Sequence, residues 1–250
     1  MLVFEELLEK FKNEENLVKV GVDDKFNFSI KDQIFVIESG SVKGYGAQNP
    51  KTGLKETQNF EEHDPIGFAE AMSSREHTLK FRQLSDITLI KFNGANLRQQ
   101  INDSDIFAKT IIKYSLGRIF GLKKGNNFSF EDSLLDSKEK IFNRLRFPKD
   151  STIYNAGSSS KHMYLIEKGS VQIVSSEKKV LATLNAGECF GEAAILKDRN
   201  RNYTVTAKVD CSLLAIEKSV VEQKMSNNSP LVQLSVIMLL KRLELMNTFK

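Results

Sequence analysis

The sequence predicts an α+β chain, mainly β, made of two tandem copies of one module, and three observations carry that prediction. The string IFVIESGSV at Ile34–Val42 returns as MYLIEKGSV at Met163–Val171, each running aliphatic residues into a Glu-x-Gly-Ser-Val turn whose glycine suits a tight strand connection. SDITLIKF at Ser85–Phe92 parallels CSLLAIEK at Cys211–Lys218, a strand leading into a helix, and IGFAE at Ile66–Glu70 stands where FGEAA stands at Phe190–Ala194. Repetition on this scale points to a duplicated domain.

In chain order, Leu2–Phe11 sets apolar residues at helical spacing between Glu5, Glu6 and Glu9, an amphipathic opening helix, and strand-like segments follow it. Asp105–Phe120 reads as the closing helix of the first copy. The polar, Gly-bearing stretch Lys123–Asn127 then places a boundary near residue 125, giving units 1–125 and 126–250, and Ser129–Arg146 reads as the second opening helix. Pro230–Met246 is a helix with proline at its start, apolar around much of its circumference, so it must bury two faces.

Composition narrows the function. Of the formal net charge of +4, residues 1–125 contribute nothing, with 18 Lys+Arg against 18 Asp+Glu, so the excess lies dispersed in the second half. That is no clustered basic face, and direct nucleic-acid binding is not expected. The longest apolar run, Val236–Leu240, is far short of the roughly 20 residues of a membrane span. Two cysteines, Cys189 and Cys211, make no disulfide framework and no signal-peptide pattern opens the chain, so a reducing cytoplasm is the expected setting.

The chemistry concentrates in Phe190–Ala207, FGEAAILKDRNRNYTVTA. Gly191 admits close backbone approach, Glu192–Ile195 begins a short apolar helix with free N–H groups, and Arg201 adds a fixed cation, together a cradle for an anion. A carboxylate at Glu192 would repel a phosphate unless it accepts from a sugar hydroxyl, which points to a nucleotide rather than inorganic phosphate.

This stretch resembles the phosphate-binding cassette of cyclic nucleotide-binding domains, the module of protein kinase A regulatory subunits, cyclic-nucleotide-gated channels and the bacterial catabolite activator. Phe190, Gly191, Glu192, Ala194, Arg201, Thr204 and Ala207 fall on its pattern. The resemblance implies that Glu192 holds the ribose 2′-hydroxyl and Arg201 the cyclic phosphate of cAMP or cGMP, with Ala193, Asn202 and Tyr203 completing the binding stretch. It also implies an eight-stranded jelly-roll β-roll with a helical flank in each copy. The departures are Asn202 and Tyr203, where small residues are usual, and Arg199 and Asn200, where proline often precedes the arginine. After the arginine the family tends to carry Thr or Ser for guanine and Ala for adenine, and Asn202 is neither; cAMP is the preferred expectation. In the family the last helix lids the base, which marks Leu239, Leu240, Lys241 and Leu243 as lid candidates.

The first copy's cassette is poorer. IGFAEAMSSREHTLKF keeps Gly67 and Arg75 but is about two residues shorter between them, and Phe68 takes the place of Glu192. Glu70 restores the acceptor only if the deletion grows, so Gly67, Glu70 and Arg75 form at best a weak site, against a vestigial pocket in a structural or dimer-forming domain. Glu61-Glu62-His63-Asp64 matches no metal-ligand spacing and reads as a solvated loop before Pro65. Gly44–Gly46 with Lys51–Gly53 lacks the order of a phosphate loop and reads as a long hairpin connection. His77 and His162 read as surface residues and Cys189 as packing. No catalytic constellation and no metal or cofactor site emerges. The expectation is a non-enzymatic cyclic nucleotide sensor signalling through an unidentified effector protein, with a homodimer as one candidate assembly. The alternative is a ligand-free tandem scaffold.

Overall fold

Four consecutive apolar residues in each copy, Ile34–Ile37 and Met163–Ile166, are buried without alternation, so these strands are covered on both faces. They anchor a computed structural model that describes residues 4–48, 55–77, 79–120, 142–191 and 200–247. In the first half the elements are α1 (Phe4–Glu9), β1 (Leu17–Val20), β2 (Gln33–Ser39), β3 (Val42–Gln48), β4 (Lys55–Phe60), β5 (Pro65–Ile66), α2 (Phe68–Met72), β6 (Lys80–Gln83), β7 (Ile87–Asn93), α3 (Gly94–Asp103) and α4 (Ile106–Ile119). The second half runs β8 (Asn143–Phe147), β9 (Thr152–Tyr154), β10 (His162–Lys168), β11 (Ser170–Val174), β12 (Val180–Asn185), β13 (Cys189–Phe190), β14 (Thr204–Ala207), β15 (Cys211–Glu217), α5 (Lys218–Ser226) and α6 (Pro230–Asn247).

The duplication is visible in the pairing. One sheet of the first half has the order β1-β7-β2-β5 and its partner β4-β3-β6, while the second half repeats these as β8-β15-β10-β13 and β12-β11-β14-β9. All pairs are antiparallel, and the β2–β7 bulge between Ile37 and Ser39 has its twin between Ile166 and Lys168. Each half is therefore a two-sheet β-roll with helices beside it.

The central strands face two cores. Phe35 and Ile37 point into the first roll beside Val42, Phe60 and Leu89, while Tyr164 and Ile166 point into the second beside Phe190, Val205 and Leu213. Their neighbours Ile34, Val36, Met163 and Leu165 face outward into one helical layer that both rolls share, containing α4, α5 and α6 side chains. Within it α6 packs most heavily on α4 and also on α1, α2, α3 and β5, all of the first half. Asn228, between α5 and α6, accepts from the Asp105 N–H at 3.0 Å and donates to its carboxylate at 2.8 Å, just where Asp105 caps α4. Asn228→Ala should leave the Asp105 N–H and Oδ2 without this partner and cost about 1–3 kcal/mol, read as a lower thermal midpoint.

Two expectations change. Arg144–Arg146 is an extended edge strand rather than the end of a helix, since its alternating charges suit one exposed face paired to β15. The rest of that expected helix, the boundary near 125 and the Lys123–Asn127 break lie outside the described residues. Gly44–Gly46 sits in β3 rather than in a connection. No helix among the described residues is long and apolar enough to cross a membrane.

Candidate functional site

Arg201 stands three residues before β14 and is only 6% exposed. Backbone bonds fix its place: its N–H donates to Ser158 O and its own carbonyl accepts from Gly157 N–H, both at 2.8 Å. The side chain then turns inward. Nη1 donates to Gly191 O at 3.1 Å and Nη2 to His162 O, so the guanidinium bridges the end of β13 and the start of β10. Its plane lies over Tyr154, 4.1 Å from the ring centroid, with Tyr164 at 5.9 Å. Tyr164 stacks in turn on Phe190 at 5.1 Å, and burial pushes the pKa of the Tyr164 phenol upward.

Two features give the group the chemistry to hold an anion. Nε is buried and has no hydrogen-bond partner, and no carboxylate among the described residues pairs with the guanidinium. A buried cation with an unpaired donor is set to receive an anion. Gly191, at φ +79°, carries no side chain because a Cβ there would come within 2.6 Å of Nη1. Any larger residue would push the arginine out of its seat.

The cassette strand is also held from the first half. The Tyr114 hydroxyl on α4 accepts from Cys189 N–H at 2.6 Å and donates to Cys189 O at 2.8 Å, satisfying the outer edge of β13 one residue before Phe190. Tyr114→Phe removes both bonds without changing ring packing. It should cost about 1–3 kcal/mol, seen as a fall of several degrees in the thermal midpoint.

Residues 144–228 match the family model of the cyclic nucleotide-binding domain. A cAMP-dependent protein kinase regulatory subunit from Eremothecium gossypii is 34% identical over 97 residues, 38% of this chain and 21% of that protein. Another from Debaryomyces hansenii is 25% identical over 211 residues, 79% of this chain and 40% of its own length. The chain thus spans less than half the length of either relative. Among solved structures, a regulatory subunit of a cAMP-independent protein kinase A from Trypanosoma brucei is 18% identical, covering 91% of this chain and 78% of that chain, with a TM-score of 0.37.

Within the matched domain, Phe190 is buried in β13, Asn202 is exposed, Tyr203 is half-buried, and Thr204 opens β14, where its hydroxyl accepts from Ala156 N–H at 3.0 Å. Glu192, Ala193 and Ala194 lie outside the described residues. Tyr154, Tyr164 and the His162 carbonyl were not among the expected site residues. An aromatic in a strand signals packing, and a main-chain acceptor leaves no mark in sequence.

The lid candidates stand elsewhere. Leu239, Leu240 and Leu243 are buried in the shared helical layer, and Lys241 reaches the first half, donating to His63 O at 2.7 Å and lying 3.3 Å from Asp64. The helix lies along α4 because its long apolar circumference finds the larger apolar partner there. Asp64 is accordingly buried rather than solvated, although Glu61 and Glu62 are exposed.

The first-copy cassette is corrected as well. Arg75 is exposed, its guanidinium 4.5 Å from the Phe120 ring centroid, and is not in the pocket. The residue in the place of Arg201 is His77: it lies ten residues after Gly67, as Arg201 lies ten after Gly191, and three before β6, as Arg201 precedes β14. A Cβ on Gly67, whose φ is +84°, would meet the His77 ring at 2.7 Å, the same relation as at Gly191. The cassette is therefore not shortened. His77 is half-buried rather than a surface residue, and burial lowers its pKa.

Proposed function

We propose that this chain is a cyclic nucleotide sensor whose second unit, 126–250, binds cAMP in preference to cGMP, while the first unit, 1–125, is a degenerate copy. The observation that carries the reading is Arg201, buried, held by two carbonyls and an aromatic face, with Nε unpaired. The cyclic phosphate sits on that guanidinium and the Glu192 carboxylate takes the ribose 2′-hydroxyl, as the family pattern implies. The regulatory-subunit relatives support this reading, and so does the matched domain.

The protein is a non-catalytic regulator that passes its signal to an effector protein. Ligand drawn onto Arg201 pulls on Gly191 and β13, and Tyr114 ties β13 to α4 in the shared helical layer. The ligand moves that layer only to the extent that it binds the two arrangements differently.

Titration calorimetry with cAMP and then cGMP tests the reading, repeated with Glu192→Ala. Saturable heat, stronger for cAMP and weakened at least tenfold by the substitution, is expected. Absence of heat at near-millimolar nucleotide favours the ligand-free scaffold, a reading to which the two carbonyls already bonded to Arg201 give some support.

A further inference from the structure

The first-half pocket already has an occupant. Arg242 of α6 enters it beside Phe60, Gly67, Phe68, Glu70 and His77, leaving a cavity of only about 10 Å³, room for a single water. Its Nη1 donates to Gln58 Oε1 at 3.1 Å and its guanidinium lies 5.3 Å from the Phe60 ring centroid. The preceding residue, Lys241, grips Asp64 and the His63 carbonyl.

The residues explain why a cation fits where the second half would hold an anion. Counting from each glycine, Phe68 replaces Glu192, Glu70 replaces Ala194 and His77 replaces Arg201. A fixed positive charge has become a half-buried imidazole, and a methyl group has become a carboxylate only 6% exposed. The sign of the pocket is inverted. Burial draws the Arg242 guanidinium down from its ordinary pKa and the Glu70 and Asp64 charges push it back, the balance of a cation seated among acids.

We propose that the first-half pocket is a guanidinium receptor, filled in cis by Arg242, which latches α6 to the first half and excludes nucleotide from that pocket. The pocket uses the Phe60 ring for the cation face, the Gln58 amide oxygen for one N–H of the fork and the Glu70 carboxylate in its lining for the charge. The latch stands whether or not the second half binds nucleotide.

Thermal unfolding of the nucleotide-free full chain tests it. Arg242→Ala should lower the midpoint by about 5 °C. Millimolar methylguanidinium should return part of that loss in the variant and leave the unsubstituted chain unmoved, while methylammonium, a cation without the planar fork, should return none. An unmoved midpoint in Arg242→Ala, or equal recovery with the two cations, overturns the proposal. Glu70→Gln keeps the shape of the pocket and covers the case of an Arg242→Ala chain that does not fold. Amide exchange around residues 239–243 should then quicken while α5 is unchanged, and unchanged exchange at 239–243 contradicts the latch.

Discussion

Arg201→Ala is expected to weaken cyclic nucleotide binding by about two to four orders of magnitude. A cyclic phosphate in this site is withdrawn from water, and without the guanidinium it is a buried charge with no partner, a loss of about 3–5 kcal/mol. The arginine cannot be replaced by a neighbour, since among the described residues no other side chain bonds the two carbonyls, Gly191 O and His162 O, that it holds. Arg201→Lys should recover only part of the affinity, because an ammonium cannot bridge both carbonyls and stack on Tyr154 together. Removing the side chain also frees two carbonyl acceptors, a stability cost of about 1–2 kcal/mol. The thermal midpoint should therefore fall by only a few degrees while affinity collapses, and equal loss in both would mean the variant had merely unfolded.

Gly169→Ala is expected to be the most damaging single methyl group in the second roll. Gly169 sits at φ +86° in the turn between β10 and β11, where a side chain costs about 1–2 kcal/mol from conformation alone. The added Cβ would also overlap the Asp210 backbone carbonyl oxygen and come within 2.8 Å of Cys211 Cβ, with little freedom for either to yield. A fall in midpoint of about 5–10 °C should follow, given a few degrees per kcal/mol for a chain of this size. Gly40 occupies the same turn of the first half at φ +89°, against the Asp86 carbonyl, so Gly40→Ala should behave alike. Similar shifts from the two substitutions would express the duplication as energetics; a harmless Gly169→Ala would refute the turn geometry.

The duplication could be read from IFVIESGSV and MYLIEKGSV because each strand is buried on both faces and tolerates few substitutes in shape. The second cassette was legible for a related reason: a glycine, a fixed cation and a trailing strand at set distances describe one geometry. Its first-half counterpart is fixed by position rather than by residue type, and Arg75 does not hold that position. The ten-residue interval from Gly67 leads to His77, and that interval was present in the sequence. The resting place of α6 was not legible. Apolar residues around a helix state that it is buried and say nothing of which roll it covers, so Lys241, expected in a lid, serves with Arg242 as a tie to the first half. The charged edge strand β8 alternates Arg144 and Arg146 with Leu145 and Phe147 over too few residues to stand apart from a helix end, and its partner β15 supplies the order.

The central claim is a single nucleotide site per chain, built on Arg201, with the first-half pocket filled by the chain itself. Calorimetric stoichiometry of cAMP on the intact protein tests it most directly. The account predicts one molecule bound per chain and none detectable in Arg201→Ala; two molecules per chain, or one that survives Arg201→Ala, would contradict it.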